Sequence, residues 1–258
     1  MCVNQSKLVN FFIHVICKFR DPSILVRLPL RFLLSCSIPN PQSAIDWPSF
    51  PFSHQFHNTS STARIRGKWS KEDNRYLKED AANIAPFLLR LKENESKRYF
   101  RIVETIRLIL PFFADFELDV DDNSILLKWR ERNCDRIFDA SQAADGMLRA
   151  IALVTLLLQP ERNLPDVLLL DEPELGLHPY AINVVGGLIR SVSTKTQVVV
   201  ATQSMPLIDC FEPNDIVVVN RKDRESSFQR LDEKTLEDWL QEYSLSELWE
   251  KNVIGGRP

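Results

Sequence analysis

The chain has 258 residues, enough for one sizeable α/β domain or two small ones. With 44% hydrophobic and 26% charged residues, its composition excludes wholesale disorder, collagen and coiled-coil arrays. A formal net charge of −3 excludes a chain-wide basic surface for nucleic acid.

Residues 1–50 carry five basic residues against two acidic ones, a local +3, whereas residues 51–258 are net acidic at −6. The first part holds short apolar runs (FFIHVI, ILVRL, LRFLL) and then a proline-punctuated stretch, SIPNPQSAIDWPSFP. Those runs can make strands, but they show no helical period and no caps, so residues 1–50 are expected to be an atypical N-terminal extension. LRFLLSC (30–36) loosely resembles a lipoprotein cleavage site, yet Arg27 and Arg31 break the apolar run, which argues against export.

From residue 80 the pattern sharpens. Apolar residues at helical spacing predict helices over 83–91 and 97–110, the latter ended by Pro111. FELDV and SILLKWRE, joined by Asp121-Asp122-Asn123, predict a hairpin. GMLRAIALVTLLL (146–158) predicts a strongly apolar helix stopped by Pro160. VLLL (167–170) reads as a strand buried on both faces. A helix at about 180–192, strands at 198–202 and 216–219, and two amphipathic helices near 232–241 and 245–251 complete the chain. Strand–helix–strand alternation argues for a parallel sheet covered by helices.

No apolar stretch reaches the ~18–20 residues needed to cross a bilayer, so no membrane partner is expected. The five cysteines (Cys2, Cys17, Cys36, Cys134, Cys210) form no metal-type spacing. Scattered and odd in number, they suit free, mostly buried thiols in a reducing cytoplasm.

The most informative string is VLLLDEPELGLHP (167–179). Asp171 and Glu172 are expected at the carboxyl end of a buried strand, where open α/β sheets bind ligands. Adjacent carboxylates there can divide the work: one holds a hydrated Mg²⁺, and the next orients the attacking water in phosphoryl transfer. Upstream, SQAADGMLRA (141–150) opens the apolar helix, whose free N–H groups suit a phosphate. Downstream, VVVATQS (198–204) places Gln203 at the same sheet edge as Asp171.

With these three segments, and from about Phe56 to the terminal ELWEKNVIGGRP, the sequence resembles the RecF/SMC-like branch of ABC-type ATPases, the predicted bacterial ATPases with an AAA-type core. The resemblance implies a P-loop-NTPase-like α/β lobe, mainly a parallel sheet covered by helices, with a helical insertion at about 80–112 in a core spanning 51–258. It implies ATP and Mg²⁺ as cofactors, a head-to-tail homodimer or a heterodimer with another ATPase lobe, and DNA as a candidate partner in repair or defence. It makes Asp171 the Walker B Mg²⁺ ligand and Glu172 the catalytic glutamate, with Gln203 at the switch position. ELGLHP, with His178, resembles the D-loop at the dimer seam. Ser141 to Arg149, with Asp145 and Gly146, resembles the signature motif that meets the partner's ATP.

Two departures stand out. Ala144 occupies the position before Asp145-Gly146 where the family usually has a serine. No G-x-x-x-x-G-K-[ST] occurs, and no glycine precedes Gly67, so the phosphate loop is absent and affinity for the triphosphate is expected to be weak. The expectation is that residues 1–50 stand in place of the family's N-terminal half-lobe, with the authentic portion beginning near residue 52. Three readings follow: an ATPase, a non-catalytic pseudo-ATPase that pairs with an intact one, or a fragment without function.

Weaker signals point elsewhere. DVDDNSILLKWR (119–130) has some calcium-loop character, but Ser124 and Arg130 stand where Gly and Glu are required, so a hairpin turn is expected. His54 and His57 lack a third metal ligand nearby. Arg64, Arg66, Lys68 and Lys71 around Trp69 could meet nucleic-acid phosphates or form a solvated basic loop.

Overall fold

The computed structural model describes residues 14–18, 53–54, 56, 58–222 and 225–255. In chain order the strands are β1 (His14–Lys18), β2 (Ser53–His54), β3 (Trp69–Ser70), β4 (Phe113–Glu117), β5 (Val120–Asp121), β6 (Ser124–Ile125), β7 (Lys128–Glu131) and β8 (Ile137–Asp139). They continue with β9 (Val167–Asp171), β10 (Gln197–Thr202), β11 (Ile216–Lys222) and β12 (Glu225–Arg230). The helices are α1 (Ile84–Asn94), α2 (Ser96–Ile109), α3 (Asp145–Leu158), α4 (Pro179–Val192), α5 (Met205–Ile208), α6 (Glu233–Leu240) and α7 (Leu245–Glu250).

The main sheet has the order β12-β11-β1-β10-β9-β2. β2, β9, β10 and β11 run the same way, and β1 and β12 run against them. β9–α4–β10 is the parallel crossover unit that the alternating pattern predicts. β1, from the segment set apart by its composition, lies inside the sheet and pairs antiparallel with both β10 and β11.

α3 shows why an apolar helix belongs in the interior: every residue but Asp145, Gly146 and Arg149 is buried. The hydroxyl of Thr155 is satisfied by donating to Ile151 O at 2.7 Å. α4 buries Ala181, Ile182, Val185, Ile189 and Val192, one stripe at helical spacing. α1 and α2, the expected insertion, bury Phe87, Leu88, Leu91, Ile102 and Ile106 in the same core as α3, β9 and β10. A second, smaller core joins β11, α6 and α7 through Ile216, Val218, Leu236, Leu245 and Leu248.

The expected hairpin forms, as β4–β7 at its base and β5–β6 at its tip, with Asp122 and Asn123 at φ +44° and +61° in the turn. Two left-handed residues between closely paired strands are what a two-residue hairpin turn needs. Of the cysteines whose side chains are described, Cys134 is exposed and Cys210 half-buried, both free. The expectation of mostly buried thiols therefore fails at Cys134, which sits in the exposed turn after β7. Among the described residues, no helix is long and apolar enough to cross a membrane.

Candidate nucleotide site

Asp171 ends β9 and is the register partner of Ala201 on β10. The sheet therefore brings Asp171 and Glu172 to the same edge as Thr202, Gln203 and Ser204. Asp171 and Glu172 are half-buried, and Gln203 is exposed. Glu172 leaves the line of the strand at φ +39°, a left-handed conformation that a non-glycine residue holds only when its surroundings impose it. Its N–H donates to Ala201 O at 2.8 Å, and its carbonyl accepts from Leu175 N at 3.1 Å. A small cleft beside the two carboxylates is lined by Phe56, Arg149, Leu153, Leu170 and Pro173.

The turn after β9 is tied to the end of β10 by side chains. The Thr202 hydroxyl donates to Glu174 Oε1, and Thr202 Oγ1 in turn accepts from Ser204 N at 3.0 Å. Burial pushes the Glu174 carboxyl above its ordinary range, and the neighbouring charges of Glu172 and Asp171 add to the effect. His178 caps α4, its Nδ1 accepting from Tyr180 N at 3.3 Å, with Pro179 opening the helix.

The segment Ser141–Arg149 folds as a 3₁₀ turn followed by the start of α3. Ser141 is committed locally, its N–H and hydroxyl both donating to Asp139 Oδ1 at 2.8 and 2.5 Å. Gly146 lies against the turn after β9, where a Cβ would stand 2.4 Å from Gly176 O. Arg149 Nη1 donates to Leu175 O at 3.1 Å, a second tie between α3 and that turn. The structure thus brings Gly146 and Arg149 to the segment that follows Asp171 and Glu172, while Asp145 pairs with Arg66.

Arg66 ties together segments far apart in the chain. Its guanidinium donates to Thr59 O, Ser60 O, Ala140 O and Ala143 O, and pairs with Asp145 Oδ1 at 2.9 Å. With its side chain only 10% exposed, it is an internal clamp rather than part of a phosphate-facing loop. Arg64 pairs with Asp80 at 3.0 Å and covers the Trp69 ring, and Lys68 pairs with Asp121 at 2.8 Å, so three cations of the basic cluster are already engaged. The side chains of His54 and His57 lie outside the described residues.

The donor set fits Mg²⁺, because that ion takes one or two carboxylates and completes its shell with water and phosphate oxygens. A half-buried carboxylate at a strand end, followed directly by a second carboxylate, meets that need at Asp171. Among the described residues no group of three or more His, Cys, Asp or Glu forms a dedicated metal cage. The triphosphate is a different case. A phosphate loop follows the carboxyl end of its strand and opens a helix. β1 is reversed: His14 is level with Thr202 at the Asp171 edge, and Lys18 is level with Val198 at the far one. The described residues offer no nest of backbone N–H groups for a triphosphate at this edge.

Residues 38–209 match a family model described as "AAA domain, putative AbiEii toxin, Type IV TA system". No curated protein sequence matches the chain. Among solved structures, one described as "Structural biochemistry of ATP-driven dimerization and DNA stimulated activation of SMC ATPases" is 17% identical at a TM-score of 0.46, over 61% of this chain and 96% of that one. A SmcHead bound to the C-winged helix domain of ScpA is 17% identical, TM-score 0.44, over 57% of this chain and 48% of that one. A Smc head domain with an extended coiled coil, bound to the C-terminal domain of ScpA and derived from Pyrococcus furiosus, is 14% identical, TM-score 0.43, over 64% and 44%. The chain spans less than half the length of the latter two.

Proposed function

The chain belongs to the AAA-domain family whose model covers residues 38–209, and on that premise we propose that it is an ABC-type, RecF/SMC-like lobe that hydrolyses ATP with Mg²⁺. It acts as one half of a head-to-tail dimer, with itself or with another ATPase lobe, in the cytoplasm, and DNA in repair or defence is the candidate target. The observation that carries this reading is the meeting of Asp171, Glu172 and Gln203 at one sheet edge, with Asp171 in register with Ala201.

Asp171 would hold Mg²⁺, which when bound would supply positive charge to offset that of the phosphates. Glu172, turned off the strand at φ +39°, orients a water. Gln203 offers an amide N–H to a terminal phosphate without a pH-dependent charge. The opening of α3 at Asp145-Gly146 and the cap at His178 face the partner lobe. Asp145 is held there by Arg66, so backbone N–H groups carry the phosphate contact that Ala144 cannot make.

The reversal of β1 favours a second reading, in which the chain contributes the carboxylates and the helix end while an intact ATPase grips the phosphates. Steady-state hydrolysis of Mg-ATP against chain concentration separates the two. Specific activity that rises with concentration and is abolished by Glu172→Gln supports the homodimeric ATPase. Activity untouched by Glu172→Gln refutes it. Mn²⁺ binding lost in Asp171→Asn, with no hydrolysis at any concentration, supports the partner-dependent half-site.

A further inference from the structure

Glu174 is costly where it stands. Its Oε1 accepts from the Thr202 hydroxyl, but its Oε2 is buried with no hydrogen-bond partner. A carboxylate oxygen withdrawn from water without a partner is a net expense to the fold. Thr202 is 1% exposed, so its hydroxyl has nowhere else to go. A hydrophobic pair of similar volume would suit this place better on stability alone. The cost coincides with a second one two residues earlier, the left-handed Glu172.

The two costs are mechanically linked. The turn after β9 is sewn to β10 at two points, Glu172 N to Ala201 O and Thr202 Oγ1 to Glu174 Oε1. Between those ties lies the backbone that sets where the Glu172 carboxylate points. On the other strand, Thr202 Oγ1 also accepts from Ser204 N, so the backbone on both sides of Gln203 is held by the same hydroxyl. One side-chain oxygen therefore fixes the approach to Glu172 and the approach to Gln203 together.

From this we infer that Glu174 and Thr202 are a positioning pair: a latch across β9 and β10 that holds Glu172 in its left-handed conformation and sets its separation from Gln203. The inference rests on the nucleotide-hydrolysis reading for its purpose, but not for its geometry. Neither residue touches the reacting atoms. They act through Glu172 and Gln203.

The test uses the whole chain with Thr202→Val, which keeps the shape and removes the hydroxyl, Thr202→Ser, which restores it, and Glu174→Leu as an independent break. Amide hydrogen exchange reports the latch directly. A hydrogen bond to a charged group is strong enough that its loss opens the turn about tenfold more often. Glu172 N–H is expected to exchange about tenfold faster in Thr202→Val and in Glu174→Leu, and at the original rate in Thr202→Ser. The Leu153 amide inside α3 serves as the reference for global opening and is expected to stay within about twofold. Mg-ATP hydrolysis is expected to lose about tenfold in kcat in Thr202→Val with KM nearly unchanged, and to recover in Thr202→Ser. Unchanged Glu172 exchange in both breaking variants overturns the latch, as does a Thr202→Ser that fails to restore it. Faster Glu172 exchange in a protein with no hydrolysis in any form supports the latch and instead overturns the ATPase reading.

Discussion

Gly146→Ala tests the packing between the opening of α3 and the turn after β9. A Cβ at 146 would stand 2.4 Å from Gly176 O and 3.3 Å from Gly176 C, both backbone atoms. An ordinary carbon–oxygen contact is near ~3.3 Å, so the carbonyl must retreat by roughly 0.9 Å. It does not move away freely, because Arg149 Nη1 holds the preceding carbonyl of Leu175. Overpacking of this kind costs about 1–3 kcal/mol, and the better helix propensity of alanine offsets up to about 1 kcal/mol. The net loss is about 0–3 kcal/mol, a fall of up to roughly 12 °C in Tm for a chain of this size. Urea unfolding of Gly146→Ala beside Gly187→Ala measures it. Gly187 is an exposed helical position with nothing within 4 Å of an added Cβ, so alanine there is expected to stabilise by about 0.5–1 kcal/mol. If Gly146→Ala proves as stabilising as Gly187→Ala, the close approach of α3 and the turn is refuted.

Other consequences follow from single contacts. Arg66→Lys replaces a planar five-donor fork with one ammonium and leaves the carbonyls of Thr59, Ala140 and Ala143 underserved; a loss of about 2 kcal/mol or more is expected in chemical denaturation. Tyr99→Phe removes the 2.6 Å bond to Asp115 Oδ1 but leaves that oxygen its bond from Phe116 N, so calorimetry is expected to show a loss of about 1 kcal/mol. Glu174, whose carboxyl is raised above its ordinary 4.5 by burial, makes the native state hold its proton longer than the unfolded chain. Its stabilising contribution is complete below pH 4.5 and is lost as pH rises through the native value. Unfolding midpoints from pH ~4 to ~8 are expected to lose that downward slope in Glu174→Gln, and an identical slope in both proteins refutes the assignment.

The segments read most clearly in the sequence are those whose partners are local or whose composition leaves one option. VLLL could only be a doubly buried strand, and the all-round apolar run 146–158 could only be an interior helix; both stand where expected. The hairpin turn was legible because Asp122 and Asn123 tolerate positive φ. β12 was missed because ESSFQR is a polar edge strand that announces itself only by pairing with β11. The place of β1 was illegible for another reason: its partners, β10 and β11, lie about 180 to 200 residues further on, and a short apolar run carries no signal of direction. The same distance hid the site's supports. Arg66 draws its acceptors from residues 59–60 and 140–145, and Glu174 finds Thr202 across the sheet, so neither pairing has a spacing to recognise.

Equilibrium binding of Mg-ATP to the whole chain, with Glu172→Gln alongside, tests most directly whether the edge formed by Asp171, Glu172 and Gln203 is a nucleotide-hydrolysing site. The account predicts saturable binding that strengthens with chain concentration, tightens in Glu172→Gln and disappears in Asp171→Asn. Absence of binding up to millimolar ATP at every chain concentration, in all three proteins, contradicts it.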